Sequence, residues 1–328
     1  MISPPPKPRP FAPKPLPGPK PKRPPKRGSM TICAGFKSEY GVVLCADSQE
    51  TRGSMKFDAP KLVIKPSVGT PEDTVRMLFA GAGDGPFIDK LVDRMWQAAQ
   101  CGPNAAINEV ITKIEDANIE WHQRIWPLYD ADQRPIANML FVLYIPTYEP
   151  RLYRAIGPVI NEIKDYAFVG YGEELGTFLA ENFRPDSIDI EEDVGACLFI
   201  LENAKKYVNS CGGETQLAAL MLDGSIQDMN AWNAKQLSEG VSEIAQSLYF
   251  LFGLAINLEG DAGNFDFAAK STLKEIRKVR ARLRNQIHDR VKVPLELKRS
   301  VERLFVRRQW PPLVEPVSSD SQASKERE

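Results

Sequence analysis

The stretch Thr31-Ile-Cys-Ala-Gly-Phe-Lys-Ser-Glu-Tyr-Gly-Val-Val-Leu-Cys-Ala-Asp47 decides how the chain is read. Two apolar runs, Thr31–Lys37 and Gly41–Ala46, flank a short polar link, the signature of a buried strand pair. The pair opens on a threonine and reaches an aspartate sixteen residues later. That pattern fits two things: the interior of a β-sandwich, or the front end of an enzyme whose own N-terminus is the nucleophile.

Upstream the composition changes abruptly. Residues 1–30 hold twelve prolines, eight Lys or Arg and no acid, a composition that favours solvated polyproline II and cannot bury a core. They read as a disordered arm, either a propeptide or a stretch ahead of the true start, with an SH3-like module or an acidic surface as the alternative partner. The whole chain, 328 residues with 43% apolar content and a net charge of −1, is long enough for one large domain.

Downstream the strand runs continue at Lys61–Ile64 and Met77–Ala80, and helical periodicity takes over at Pro86–Gln100 and from Asn104 to Trp126. The same order then repeats. Strand signals at Ile136–Pro146, Arg151–Ile156, Val159–Glu162 and Tyr166–Gly170 precede helical patterns at Glu173–Phe183 and Ile188–Val208. Strands at Thr215–Asp223 and Ser225–Asn230 lead into helices at Ala234–Ala255 and Ala268–Arg284. Runs of strands followed by helix pairs, twice over, imply an α+β fold, a four-layer αββα sandwich spanning residues 31–260. Residues 261–310 read as a basic, partly helical extension and 311–328 as a disordered tail.

Composition excludes several chemistries. Five cysteines are scattered without a CxxC pair, which suits reduced, packed thiols and a cytoplasmic protein. His122 and His288 are the only histidines, too few for a histidine metal centre or a Ser-His-Asp triad, so no metal or cofactor is expected. The longest apolar run, Leu248–Ile256, is far short of the roughly 18 residues that span a bilayer. Residues 270–308 carry fourteen Lys or Arg against four acids, with only Phe305 inside the segment and Trp310 just beyond it as aromatics, a solvated basic helix more than a nucleic-acid surface.

The segment Gly41-Val-Val-Leu-Cys-Ala-Asp47-Ser-Gln-Glu-Thr-Arg-Gly53 resembles the "GVVLAADSRATAG" segment of the N-terminal nucleophile hydrolases of the proteasome β-subunit type. That family includes the two-stacked-ring bacterial peptidase and simpler bacterial proteasome-like proteins. The resemblance runs from about Thr31 to Ala255. It implies Thr31 as nucleophile, with Asp47 and Gly53 at the family's spacing and Lys61 within two residues of the expected lysine. Phe79-Ala-Gly-Ala-Gly-Asp84 resembles the family's small-residue loop, which makes the Gly81 N–H the candidate oxyanion donor.

The chemistry follows on its own terms. A threonine hydroxyl needs a base within hydrogen-bond reach, and a free α-amine on the same residue supplies one, with a pKa of about 7.7–8. A lysine ammonium beside it can hold the proton in the useful state, and an aspartate can pair with that lysine. The α-amine exists only if the Met30–Thr31 bond is open. Removal of a propeptide would open it, and so would translation from Met30 with loss of that methionine, which is the expected case.

Two positions depart from the family pattern. Gly170-Tyr171-Gly172 stands where the family has Gly-Ser-Gly, and Val208-Asn209-Ser210-Cys211-Gly212-Gly213 lacks the aspartate that precedes Ser-Gly-Gly. Tyr171, Asn209 and Ser210 are therefore the candidate supporting groups. The resemblance implies a peptide or protein substrate, a homo-oligomeric ring and an ATPase unfoldase as partner. An inactive ring subunit and a hydrolase of small amides are the alternatives.

Overall fold

The computed structural model describes residues 31–52, 55–66, 75–100, 105–183, 189–229, 231–256 and 262–288. The basic arm 1–30, the tail 311–328 and the second half of the basic segment lie outside them.

Strands β1 (Ile32–Ser38) and β2 (Gly41–Asp47) form a hairpin in which almost every side chain is buried. Their two faces serve different cores. Ile32, Ala34, Phe36, Val43 and Cys45 pack toward helices, whereas Cys33, Val42, Leu44 and Ala46 face a second sheet. Burial on both faces is why the sequence reads as continuous apolar runs without alternation.

The described residues form three sheets and six helices, an α+β fold. β5 (Leu62–Lys65), β6 (Arg76–Gly83), β7 (Ala137–Tyr144), β8 (Arg151–Ile156) and β9 (Val159–Ile163) make one antiparallel sheet in chain order. The other has the order β10-β1-β2-β11-β12, with β10 (Tyr166–Gly170), β11 (Thr215–Met221) and β12 (Ile226–Met229). Leu78, Ala80, Leu140, Val142 and Leu152 of the first meet Leu44, Ala218 and Leu220 of the second, a dry layer between the sheets.

Helices close both outer faces. α1 (Gly85–Ala99) and α2 (Ile107–Ile125) set Phe87, Leu91, Met95, Val110 and Ile114 against β6 and β7. Pro86 in the first turn of α1 suits a position whose N–H has no intrahelical partner. On the other side lie α3 (Glu173–Phe183) and α4 (Ile190–Tyr207). α4 starts on Asp189, whose carboxylate accepts from the Glu191 N–H, carries three acids in its first turn and ends on Lys205 and Lys206, complementing its dipole. α5 (Ala231–Ile256) and α6 (Ala262–His288) complete that layer. The basic α6 is tied in by Leu283 and Ile287, which enter the same core as β1. The result is the four-layer αββα sandwich.

One element was not anticipated. β3 (Gln49–Arg52) and β4 (Met55–Asp58) pair as a small separate hairpin right after Asp47. The whole of β4 is exposed, so no apolar face marks it in the sequence. No helix among the described residues is long and apolar enough to cross a membrane.

Candidate active site

Hairpin register brings the first two candidates together. Cys33 pairs with Ala46 and Lys37 with Val42, so one step further places Asp47 across from Ile32 and diagonal to Thr31. The Ile32 N–H donates to Asp47 Oδ1 at 3.1 Å, and the Thr31 hydroxyl donates to the same oxygen. Asp47 is fully buried and Thr31 is 3% exposed.

Lys61 arrives from the other sheet, one residue before β5. Its Nζ donates to Thr31 Oγ1, to Asp47 Oδ1 at 2.8 Å and to the Gln49 carbonyl at 2.5 Å. A buried carboxylate or ammonium alone would be costly, and here each answers the other while backbone groups take up what remains. The second carboxylate oxygen, Oδ2, accepts from the Gly212 N–H at 2.9 Å. Asp47 thus ties β1, the 208–213 loop and Lys61 to one point. Thr31, Asp47 and Lys61 form one contiguous hydrogen-bonded cluster.

The remaining candidates are placed differently. Gly81 lies on β6, and its N–H donates to the Lys61 carbonyl over a long 3.4 Å. A Cβ there would come within 2.8 Å of the Ile88 side chain, so packing alone already calls for glycine. Tyr171 is 56% exposed in the turn before α3 and does not take the place of an inward hydroxyl. The Asn209 carbonyl accepts from Lys56 Nζ at 3.3 Å, on the β3–β4 hairpin. Ser210 shares the loop that brings Gly212 to Asp47, one residue before Cys211, whose N–H donates to Val208.

Glycines hold the cluster's walls close. Gly170 has φ +102°, a backbone that side chains rarely adopt, and a Cβ there would fall 2.3 Å from the Thr31 carbonyl. The Gly172 N–H donates to that same carbonyl at 3.4 Å. Gly170-Tyr171-Gly172 thus contributes its two glycines as the wall against Thr31 and no hydroxyl toward it. Gln49 and Gly212 were missed as well, because they act through backbone atoms and carry no residue-type signal.

Two cysteines lie within the field of the cluster. Burial pushes the Cys211 thiol up to about 12, with Asp47 adding to the rise and Lys61 opposing it. Burial likewise drives Cys33 far above the ordinary thiol range. Both shifts favour the neutral thiol, the form that is not nucleophilic. Among the described residues, no group of three or more His, Cys, Asp or Glu could hold a metal ion.

No protein-family model matches the sequence. No curated protein matches it either. Among solved structures the chain is similar to Anbu, the ancestral beta-subunit, of Yersinia bercovieri, with a TM-score of 0.54 and 15% identity over 67% of this chain and 97% of that one. Anbu from Hyphomicrobium sp. strain MC1 gives 0.51 and 13% over 67% and 97%. Its (Gly-1) mutant gives 0.53 and 15% over 67% and 96%.

At such identity the likeness is one of fold, a proteasome-like fold shared with Anbu. The membership in the N-terminal nucleophile hydrolases read from Gly41–Gly53 is corrected accordingly, since no family model matches and the Anbu structures named above share only 13–15% identity with the chain. The physical reason lies in the hairpin. The sixteen-residue spacing of Thr31 and Asp47 is a register property of β1 and β2, so it reports the fold and carries no chemistry by itself.

Proposed function

We propose that this chain is a threonine amidohydrolase that cleaves peptide bonds through an acyl-enzyme on Thr31. The observation that carries the reading is the convergence of one hydroxyl, Thr31 Oγ1, with the Lys61 ammonium and the Asp47 carboxylate at a buried strand end. In the catalytic form Thr31 is the first residue. Its α-amine takes the hydroxyl proton as Oγ1 attacks the substrate carbonyl. The Lys61 charge favours the alkoxide and holds the amine neutral, and Asp47 fixes Lys61. The Gly81 N–H, only weakly engaged at 3.4 Å, is the candidate donor to the oxyanion. The C–N bond then breaks, the leaving amine takes the proton, and water with the α-amine as base hydrolyses the ester, returning free Thr31.

N-terminal mass spectrometry of the protein from its native host, with a panel of peptide and small-amide substrates, tests this. A mature chain starting at Thr31 and turnover abolished by Thr31→Ala are expected. Residual turnover in Thr31→Ala would refute the mechanism, and a mature chain that retains Met1 would refute catalysis altogether. The panel separates a peptidase from a hydrolase of small amides, which the fold leaves open.

A second reading, a non-catalytic subunit, is favoured by one observation. Both Asp47 oxygens are occupied by backbone donors as well as side chains, which is what a purely structural knot requires. Retention of residues 1–30 would select it.

Homo-oligomerisation belongs to the same proposal. The second half of α5 and the start of α6 expose Leu248, Tyr249, Phe250, Phe252 (66%), Ile256 and Phe267 (77%), more apolar surface than a solitary helix pair carries into water. Light scattering after size exclusion reads the assembly directly, and a monomer at micromolar concentration would refute it. The buried cysteines among the described residues, Cys33, Cys45, Cys197 and Cys211, form no disulfide, which suits a reducing cytoplasm.

A further inference from the structure

Gln216 is a polar side chain at the rim of the dry layer between the sheets. It stands on β11 across from Ala46, on the strand face that also carries Ala218 and Leu220 into that layer. Nothing in its residue type marks it as part of a site, and a strand position between sheets ordinarily takes an apolar residue.

Its amide makes three hydrogen bonds, and all three partners lie on one segment, residues 59–62, that leads into the opposite sheet. Gln216 Oε1 accepts from the Lys61 N–H at 2.8 Å and from the Leu62 N–H at 2.9 Å. Its Nε2 donates to the Ala59 carbonyl at 3.1 Å. β5 begins at Leu62 as the edge of its sheet, with β6 on one side only, so its outer backbone groups need partners from elsewhere. The Gln216 amide supplies both an acceptor and a donor, as a neighbouring strand would. It therefore ties the Lys61 backbone directly to the sheet that carries Thr31 and Asp47.

We infer that Gln216 is a positioning residue: an inter-sheet staple that fixes the Lys61 backbone so that its ammonium rests on Thr31 Oγ1. This rests on the threonine amidohydrolase reading, and deepens it. Lys61 has four side-chain torsions between its Cα and Nζ, so anchoring Nζ on Thr31 requires that its Cα be held. The Lys61 contacts with Asp47 and Gln49 hold only the far end of the side chain. A displacement of about 1 Å at a catalytic group is enough to cost on the order of 10²-fold in rate.

The test uses the full chain in its mature form and three variants: Gln216→Met, Gln216→Glu and Gln216→Ala. Gln216→Met preserves volume and removes all three bonds. Its kcat is expected to fall by roughly 100-fold with KM within about threefold, because substrate contacts are untouched. Gln216→Glu keeps the two accepted bonds and sets a carboxylate near the Lys61–Thr31 cluster. It should recover most of kcat while moving the acid limb of the rate profile to higher pH, since a nearby negative charge favours the protonated amine. A merely structural role would not lower kcat in Gln216→Met, at unchanged thermal stability, and restore it in Gln216→Glu.

A second readout is independent of turnover: the rate at which Lys61 is acetylated by acetic anhydride, followed by peptide mass spectrometry. Acetylation of Lys61 should rise several-fold in Gln216→Met and Gln216→Ala and stay at the wild-type level in Gln216→Glu. If wild-type protein proves inactive while Lys61 labelling follows this order, the hydrolase reading falls and the staple stands. Unchanged labelling in Gln216→Met, or a kcat that follows thermal stability across all three variants, overturns the proposal.

Discussion

Asp47→Asn perturbs the cluster with almost no change of volume, so its effect measures charge and hydrogen bonding. In the native protein the carboxylate accepts from Thr31, from Ile32 N–H at 3.1 Å, from Lys61 at 2.8 Å and from Gly212 N–H at 2.9 Å. An asparagine has one acceptor oxygen. Turned to keep Ile32, Thr31 and Lys61, it sets its NH2 against the Gly212 N–H, a buried donor facing a donor, which costs about 1–3 kcal/mol.

The larger effect is on Lys61. Its side chain is only 11% exposed, and in Asp47→Asn its charge faces neutral acceptors alone: the amide oxygen, the Gln49 carbonyl and the Thr31 hydroxyl. Removing one partner of a buried pair costs about 3–5 kcal/mol, which already includes part of the lost hydrogen bonding. For a domain of this size each kcal/mol moves Tm by about 2–4 °C, so a fall of roughly 6–20 °C is expected.

Lys61→Met should cost less, about 1–3 kcal/mol, because Asp47 keeps two backbone donors and a hydroxyl. The double variant leaves no unpaired charge, and its loss should be smaller than the sum of the single losses by about 2 kcal/mol or more. Thermal and urea unfolding followed by circular dichroism provide all four corners of the cycle. Additive losses within about 0.5 kcal/mol would refute the view that Asp47 and Lys61 form one coupled buried pair.

Gly170→Ala forces a Cβ to within 2.3 Å of the Thr31 carbonyl at φ +102°, and should lower stability by about 2 kcal/mol or more and abolish turnover; a variant with wild-type Tm would refute the close approach. His122 is buried between Phe87 and Trp126, and burial lowers its pKa below the usual 6.5. The unfolded chain therefore binds the proton first, so stability should be constant above about pH 7 and fall as pH drops below 6.5 toward the folded-state value. Tm scans from pH 8 to 5 on wild type and His122→Gln read this, and an equal slope in both would assign the acid sensitivity elsewhere. Cys33 and Cys211, with thiols raised by burial, should resist iodoacetamide at pH 8 in native protein and react on unfolding. Native alkylation at either position would contradict their burial.

The candidate site was legible in proportion to how much of it depends on residue type and spacing along the chain. Thr31 and Asp47 could be read because they sit at the ends of one hairpin, where register converts a sixteen-residue interval into contact. Lys61 could be read through its resemblance to a known arrangement, although it belongs to the other sheet. Gly212, Gln49 and Gln216 could not, since each acts on backbone atoms or over more than 150 residues of chain. The β3–β4 hairpin escaped for a simpler reason: β4 buries nothing, and periodicity exists only where a face is buried.

The sequence by itself determined the layers. Twofold repetition of strands then helices, with continuous apolar runs in β1, β2 and β7, leaves few ways to bury both faces of two sheets other than an αββα sandwich. What only the tertiary structure decided is the meeting of the sheets at one corner. There Lys61 from one reaches Thr31 and Asp47 of the other, and the Gln216 amide spans the gap. Contacts within a hairpin follow from local register, whereas contacts between sheets depend on the relative placement of two independently formed layers, which no local pattern encodes.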